Sequence, residues 1–300
     1  MEIIIMMKER LFFNMVNFIE IEISSLCNRK CLYCVQPMAQ RKRELLPVEI
    51  VGKIADELKQ VDFNGGIAFH QYNEPLLEKE HLFKCIRIIK ENLTKAKLVL
   101  YTNGDLLTYK LFKKLIKLGI DEFHISCHGD ESREWDKAQA LMDVKQMKRR
   151  IRHFWGKWDI TDEKVAFLPS VFRELVFKNK MYNFIRLRRY PYIVYIDSTN
   201  YFEKGSRRLE KIERVKIDTD ATKATSYSCQ SMMHSMHISY KGNAYLCWDC
   251  CEGLEEAKKY KLGSIYDETI YELFAKKYGF IKKYMFEEEM PVCKKCFWNR

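Results

Sequence analysis

The sequence predicts an α/β fold built on a parallel sheet, followed by a small domain made of a hairpin and a helix. Three observations carry this reading. Between Asn17 and about Asn200, short β-rich runs alternate with amphipathic helical patterns, the order that crossover connections and a parallel sheet require. Behind Cys229 the character changes to two alternating runs on either side of Lys241-Gly242-Asn243, which is hairpin turn chemistry. The eleven cysteines gather mainly around Cys27 and behind Cys229, so each half carries its own cysteine group.

The elements follow in order. Candidate strands run over 17–24, 66–70, 97–102, 121–126, 164–168 and 192–197. Between them, Val51, Ile54, Ala55 and Leu58 share one helical face, as do Leu111, Phe112, Leu115 and Leu118. Gly119 stands where a helix takes its left-handed C-terminal cap. Two further helices are expected over about 132–155 and 171–189. The stretch 201–228, with Glu203-Lys204-Gly205-Ser206-Arg207-Arg208, is charged and unpatterned and reads as a connection. A helix around 268–286 precedes Pro291-Val292-Cys293-Lys294-Lys295-Cys296. These readings divide the chain into an N-terminal extension (1–16), an α/β domain (17–200), a connection (201–228) and a cysteine-bearing domain (229–300).

Composition narrows the function classes. A chain of 300 residues, 47% of them hydrophobic, can bury a large core. No apolar run approaches the roughly 20 residues of a membrane helix. The start, Met1 to Met7, is broken by Lys8-Glu9-Arg10 and is too short and too charged for a signal peptide, so a cytoplasmic protein is expected. An odd number of clustered cysteines points to metal rather than to complete disulfide pairing. The net charge of +11 includes solvated helix lysines such as Lys110, Lys113, Lys114 and Lys117. The surplus suits an anionic partner such as a phosphorylated metabolite or an acidic peptide. No nucleic-acid module is visible, which weighs against a nucleic-acid partner.

The most informative segment is Cys27-Asn28-Arg29-Lys30-Cys31-Leu32-Tyr33-Cys34, spaced C-x3-C-x2-C behind the alternating run Asn17–Ile23. Structural zinc takes four ligands, whereas three thiolates on a [4Fe–4S] cube leave one iron open for chemistry. The plain alternative is a zinc knuckle or a set of core thiols.

A strand, this spacing and an aromatic before the third cysteine resemble the radical S-adenosylmethionine (SAM) superfamily. The resemblance implies a partial (β/α)6 barrel and a cluster on Cys27, Cys31 and Cys34 whose open iron chelates SAM. It also implies reductive cleavage to methionine and a 5′-deoxyadenosyl radical that takes a hydrogen atom from substrate. The electron would come from an external donor of flavodoxin or ferredoxin type. Three strand ends match the family's SAM contacts. Gln71-Tyr72-Asn73-Glu74-Pro75 resembles its Gly-Gly-Glu-Pro turn, with Asn73 in place of a glycine and Glu74 facing the SAM ammonium. Thr102-Asn103-Gly104 resembles its Thr-Asn-Gly turn, Ser126 matches a polar contact to the carboxylate or ribose, and Tyr33 takes the aromatic place near adenine. Singly, each turn is an ordinary strand end; their order behind the triplet carries the resemblance. The family's glycine-rich fifth strand is not found in Val165-Ala166-Phe167-Leu168-Pro169.

The rear cysteines resemble the SPASM and Twitch auxiliary-cluster domains. Cys229, Gly242 and Cys247 fit C-x(9–15)-G-x4-C, and Cys293 and Cys296 supply a C-x2-C pair. Four thiolates then close one auxiliary [4Fe–4S] cluster, the shorter Twitch pattern of a hairpin plus a helix. A structural zinc site is the alternative, because four cysteines with one C-x2-C also suit zinc. Cys85 lies on an apolar helix face with Leu82 and Ile89 and reads as core. Cys250 and Cys251, beside Cys247, are candidates for a thiol hydrogen donor, an alternative ligand or plain packing. Cys127 has the opposite pleat phase to Ser126. His70 and His128, at strand ends, are candidate acid–base groups or surface residues.

The resemblance implies an oxidoreductase or epimerase acting on a small polar metabolite such as a sugar or aminocyclitol. Only 16 residues precede the barrel, leaving little room for a leader-binding domain, so modification of a ribosomally made peptide is the alternative. A non-enzymatic iron–sulfur electron carrier is the reading from a different class.

Overall fold

The computed structural model describes residues 2–30, 34, 36, 39, 41–126, 183–189, 192–198 and 229–286. Strands β1 (Phe18–Ile21), β2 (Gly66–Ala68), β3 (Lys97–Thr102) and β4 (Ile120–Ser126) are joined through helices α2 (Val48–Gln60), α3 (Lys79–Asn92) and α4 (Tyr109–Leu118). Helix α1 (Glu2–Met15) precedes them. Strands β5 (Asn183–Arg189) and β6 (Tyr192–Ser198) form a hairpin. The last part holds the short helix α5 (Gln230–Met233), strands β7 (Ser235–Ile238), β8 (Asn243–Tyr245) and β9 (Lys261–Ser264), and helix α6 (Ile270–Phe286).

Among the described residues nine strands join one open sheet in the order β5-β6-β4-β3-β2-β1-β7-β8-β9. β1, β2, β3 and β4 are parallel neighbours, and β6 continues them beside β4. On the other side β7 runs parallel to β1, in the register Glu20↔His237, and β8 and β9 follow antiparallel. The hairpin of the cysteine-bearing segment is therefore hydrogen-bonded directly to the first strand of the parallel sheet.

Alternation along the strands divides the two faces of the sheet. Ile19, Ile21, Ile67, Phe69, Leu98, Leu100 and Phe123 are buried in the core shared with Ile54 and Leu58 of α2, Ile86 and Ile89 of α3, and Phe112 and Leu115 of α4. Each such side chain contributes about 1.5–3 kcal/mol of transfer free energy. The other face carries Phe18, Tyr101, His70 and His124, in a row where Tyr101 stacks on His70 at 5.2 Å and on His124 at 4.5 Å. Two carboxylates on it lie beside imidazoles: Glu122 Oε1 is hydrogen-bonded with His124 Nε2 at 2.6 Å, and Glu20 Oε2 lies 2.5 Å from His237 Nδ1. One face is thus apolar packing and the other a polar, aromatic wall.

Several expectations hold. Gly119 caps α4 at φ 108°, and Cys85 is fully buried on α3. Gly242 turns the β7–β8 hairpin at φ 72°, where an added Cβ would also lie 2.6 Å from the Tyr266 ring. The expected helix over 171–189 needs correction, because Asn183–Arg189 is a strand paired antiparallel with β6 from Asn183↔Ser198 to Arg189↔Tyr192. Ile185 and Leu187 alternate there with Arg186 and Arg188, a period of two, and Pro191 just beyond suits a turn rather than a continuing helix. The expected strand 164–168, the helix 132–155 and the connection 201–228 lie outside the described residues. The N-terminal extension is helix α1, and its Phe12, fully buried, meets Tyr271 and Phe274 of α6 edge-on at 5.3 and 5.7 Å.

Candidate active site

Parallel strands end on one side of the sheet, and the loops there are where α/β proteins gather their chemistry. Here the chain leaving β1 brings Cys27 and Cys34 to that side. The Cys27 sulfur accepts a backbone hydrogen bond from Arg29 N at 3.4 Å, and the Cys34 sulfur one from Gln36 N at 3.4 Å. Burial pushes the Cys27 thiol up to about 11, with Glu74 and Cys34 adding to the rise. A metal that binds the thiolate overcomes this cost, and the two N–H donors favour the same charge, so these sulfurs fit a cluster. Cys31 and Tyr33 lie outside the described residues.

The turn after β2 is pinned from three sides. Glu74 is 2% exposed. Its Oε1 accepts from Thr102 Oγ1 at 2.8 Å and Leu76 N at 3.0 Å, and its Oε2 from Asn103 N at 2.8 Å. Burial raises its carboxyl to about 6 against those hydrogen bonds. Asn73 Nδ2 donates to Phe69 O at 3.2 Å and its Oδ1 accepts from Gln71 N, so it braces the turn. Asn103 Nδ2 donates to Asn28 Oδ1 at 2.8 Å, while Arg29 holds Asp105 through two nitrogens at 2.5 and 2.7 Å. The structure thus brings Cys27, Glu74, Thr102 and Asn103 together at one end of the sheet. Ser126 ends β4, its backbone paired with Asp197.

Between the two cysteine groups lies a buried polar centre. Arg41 Nη2 meets Glu22 Oε1 at 2.6 Å, its Nη1 approaches the Cys251 sulfur at 3.6 Å, and its guanidinium lies over the Tyr240 ring at 4.8 Å. Burial works against the Arg41 charge, but Glu22, Cys251 and Tyr240 more than restore it. Tyr72 N donates to Glu22 Oε1, and Tyr72 Oη and Gln71 Nε2 both donate to Trp248 O, at 2.6 and 3.1 Å. The turn that carries Glu74 is thereby tied to the loop that carries Cys247. Gln71 Oε1 and Tyr240 Oη are buried and have no hydrogen-bond partner among the described residues.

In the rear group, the Cys247 and Cys250 sulfurs are 3.7 Å apart. That contact with Cys250, reinforced by burial, holds the Cys247 thiol well above its usual range, and burial also raises Cys229. Cys251 turns the other way, into a small cluster with Tyr72 that Cys34, Ala39 and Leu254 flank. The two adjacent cysteines therefore serve different neighbourhoods. Close to Cys229, Cys247 and Cys250 sits the fully buried Lys277 of α6; burial lowers its ammonium to about 8 while the three sulfurs and the Glu20 carboxylate pull it upward. Thiols grouped around a buried cation fit an anionic cluster. Among the described residues no three metal-binding side chains form a complete site. Cys293 and Cys296 lie outside those residues, as do Cys127 and His128.

Sequence reasoning missed Glu22, Arg41, Asp105 and Lys277. Asp105 carried a signal, a carboxylate one residue beyond the Thr-Asn-Gly turn with Arg29 inside the triplet. The others look like ordinary charged residues in the sequence. Among the described residues no helix is long and apolar enough to cross a membrane.

Comparison with known proteins agrees with this layout. The S-adenosyl-L-methionine-dependent 2-deoxy-scyllo-inosamine dehydrogenase of Niallia circulans is 39% identical over 114 residues, 37% of this chain and 45% of that enzyme. The match thus spans less than half of the curated relative. An uncharacterized protein of Methanocaldococcus jannaschii is 34% identical over 106 residues, 35% of this chain and 32% of that protein. Among solved structures, BtrN in complex with AdoMet and 2-DOIA superposes with a TM-score of 0.59 at 19% identity, covering 95% of this chain and 91% of that one. BtrN in an open conformation gives 0.55 at 22% identity, covering 94% and 92%. At these identities the structural likeness concerns the fold. The radical SAM superfamily profile matches residues 21–161, and the SPASM iron–sulfur cluster-binding profile matches residues 229–297. Together these matches span more than two thirds of the chain, which belongs to the radical SAM superfamily with a SPASM-type domain and so uses SAM and two [4Fe–4S] clusters.

Proposed function

We propose that the protein oxidises a secondary alcohol of a small polyhydroxylated metabolite of the aminocyclitol or sugar class. The observation that carries this reading is the 39% identity to an aminocyclitol dehydrogenase. When bound, SAM and its cluster supply a 5′-deoxyadenosyl radical that removes a hydrogen atom, and the auxiliary cluster supplies a place for an electron. Dehydrogenation of an alcohol to a ketone releases two hydrogens in all: one atom to the radical, then one proton and one electron.

This chain's residues suit those tasks. Cys27, Cys31 and Cys34 would hold the first cluster, and Cys229, Cys247, Cys293 and Cys296 the second. Glu74, with Tyr72, Asn73, Thr102, Asn103, Ser126 and Tyr33, would bind SAM. The polar wall offers His70 and His124 as proton acceptors, the latter oriented by Glu122. The unpartnered Gln71 Oε1 and Tyr240 Oη offer hydrogen bonds to hydroxyl or amine groups. A flavodoxin or ferredoxin would deliver the starting electron, and the basic surface suits such an acidic donor or an anionic substrate. We place this chemistry in the cytoplasm, the reducing compartment that thiolate clusters favour.

Epimerisation is the second reading. It is supported by the position of Cys251, a buried thiol against Tyr72 in the SAM-binding turn. The test is anaerobic reconstitution with dithionite, SAM and 2-deoxy-scyllo-inosamine, beside a panel of related cyclitols and sugars. Formation of 5′-deoxyadenosine matched by a ketone product is expected. Substrate-independent cleavage across the whole panel would defeat the metabolite reading, and no cleavage at all would favour the electron carrier.

A further inference from the structure

Lys277 has an environment that an ordinary structural lysine lacks. It lies on α6 with no exposed surface, and its Nζ donates to two backbone carbonyls, Ser231 O at 3.0 Å and Ser235 O at 2.5 Å. Among the described residues no carboxylate lies within ion-pair distance of it. Those two carbonyls flank the end of α5, whose first turn begins at Cys229; Met232 N and Met233 N both donate to Cys229 O. Ser231 also reaches the other cysteine segment, because its Oγ accepts from Trp248 N, next to Cys247, at 3.2 Å. The ammonium is therefore held by the backbone of the segment that begins at Cys229, and Ser231 in that segment is hydrogen-bonded to the residue next to Cys247. Burying a cation costs several kcal/mol unless anions compensate it; the Glu20 carboxylate acts on Lys277 from beyond ion-pair distance but is itself 2.5 Å from His237 Nδ1.

We infer that Lys277 is the built-in counter-charge of the auxiliary cluster, stabilising its thiolate-held anionic core and raising its reduction potential. This rests on the reading that Cys229 and Cys247 bind such a cluster. A cluster gains negative charge on reduction, so a fixed positive charge nearby favours the reduced form. The thiol of Cys250, 3.7 Å from the Cys247 sulfur, acts in the same direction if it donates its hydrogen there. Lys277 is thus a positioning residue for electrons: it makes the rear cluster the better acceptor.

The experiment uses the full chain in a Cys27→Ala, Cys31→Ala, Cys34→Ala background, so that only the auxiliary cluster is read. Iron and sulfide analysis of this background comes first. Without a cluster there, the auxiliary-cluster reading itself fails and takes this inference with it. With the cluster present, Lys277→Met and Lys277→Arg are compared by potentiometric titration followed by EPR. Lys277→Met is expected to lower the midpoint by at least a tenfold change in the reduction equilibrium, about 59 mV for one electron. Lys277→Arg should stay within that margin. A Lys277→Met protein that keeps both its iron and the parental potential overturns the inference. If Lys277→Met retains no iron, the arginine variant decides. Cluster retained with arginine supports a counter-charge, whereas cluster lost with both substitutions means that Lys277 is only a packing strut.

Discussion

Arg41 Nη2 stands 2.6 Å from Glu22 Oε1, with 2% and 0% of their side-chain surfaces exposed. The pair joins the end of β1 to the loop behind the cysteine triplet, and it touches Tyr240 and Cys251 of the rear segment. Removing one member leaves the other as an uncompensated buried charge. Arg41→Met is therefore expected to destabilise the cofactor-free protein by about 3–5 kcal/mol in urea unfolding. Glu22→Gln combined with Arg41→Met should recover much of that loss. Equal stabilities for the single and double variants would mean that the two groups are not coupled.

Metal content separates the iron and zinc readings. The reconstituted protein should carry about eight irons, and the Cys27→Ala, Cys31→Ala, Cys34→Ala variant about four, as two thiolate-held cubes require. SAM cleavage should vanish in the variant. Zinc alone at the rear cysteines would refute the second cluster.

Glu74 gives a pH dependence with a defined sign. Burial raises its carboxyl to about 6, above the 4.5 expected for an unfolded glutamate. A raised carboxyl binds its proton more tightly when folded, so the penalty of holding it charged is present above about 6 and relieved as pH falls toward 4.5. Affinity for SAM follows the opposite course, because the SAM ammonium needs the carboxylate. Isothermal titration should show binding weakening as pH drops through about 6. Glu74→Gln should weaken binding by roughly ten- to a hundredfold, corresponding to 1.5–3 kcal/mol, and remove that pH dependence. Because Thr102 and Asn103 also donate to Glu74, loss of iron in this variant would show that its role is to staple the two turns.

What could be read from the sequence was local. The alternation in β1, the helical spacing of Ile54 and Leu58, and the cysteine and turn spacings each lie within a few residues. Each of those spacings has a direct geometric meaning. Arg41 and Lys277 were not legible, because among 52 lysines and arginines nothing local marks the two that the fold buries. Their roles come from contacts more than 15 residues apart in sequence, to Glu22 in one case and to Ser231 and Ser235 in the other. Asn183–Arg189 misled for a different reason. A seven-residue arginine-rich run supports a helical reading as well as a strand, and pairing with β6 decides between them.

The fate of the substrate radical turns on Cys250 and Cys251. A thiol returns a hydrogen atom only if its S–H is directed at the substrate. Cys250 has its sulfur against Cys247, and Cys251 donates to the Glu252 carbonyl at 3.4 Å while Arg41 approaches its sulfur. Both thiols thus have partners inside the protein, and the electron has the auxiliary cluster available. Dehydrogenation is the expected outcome. Turnover in heavy water should give a product two mass units lighter than substrate, with no deuterium incorporated by chemistry at the reacting carbon. Cys250→Ala and Cys251→Ala, if they retain both clusters, should form that same product. One deuterium fixed at carbon, lost only in Cys251→Ala, would instead assign the hydrogen donor to Cys251 and make the reaction an epimerisation.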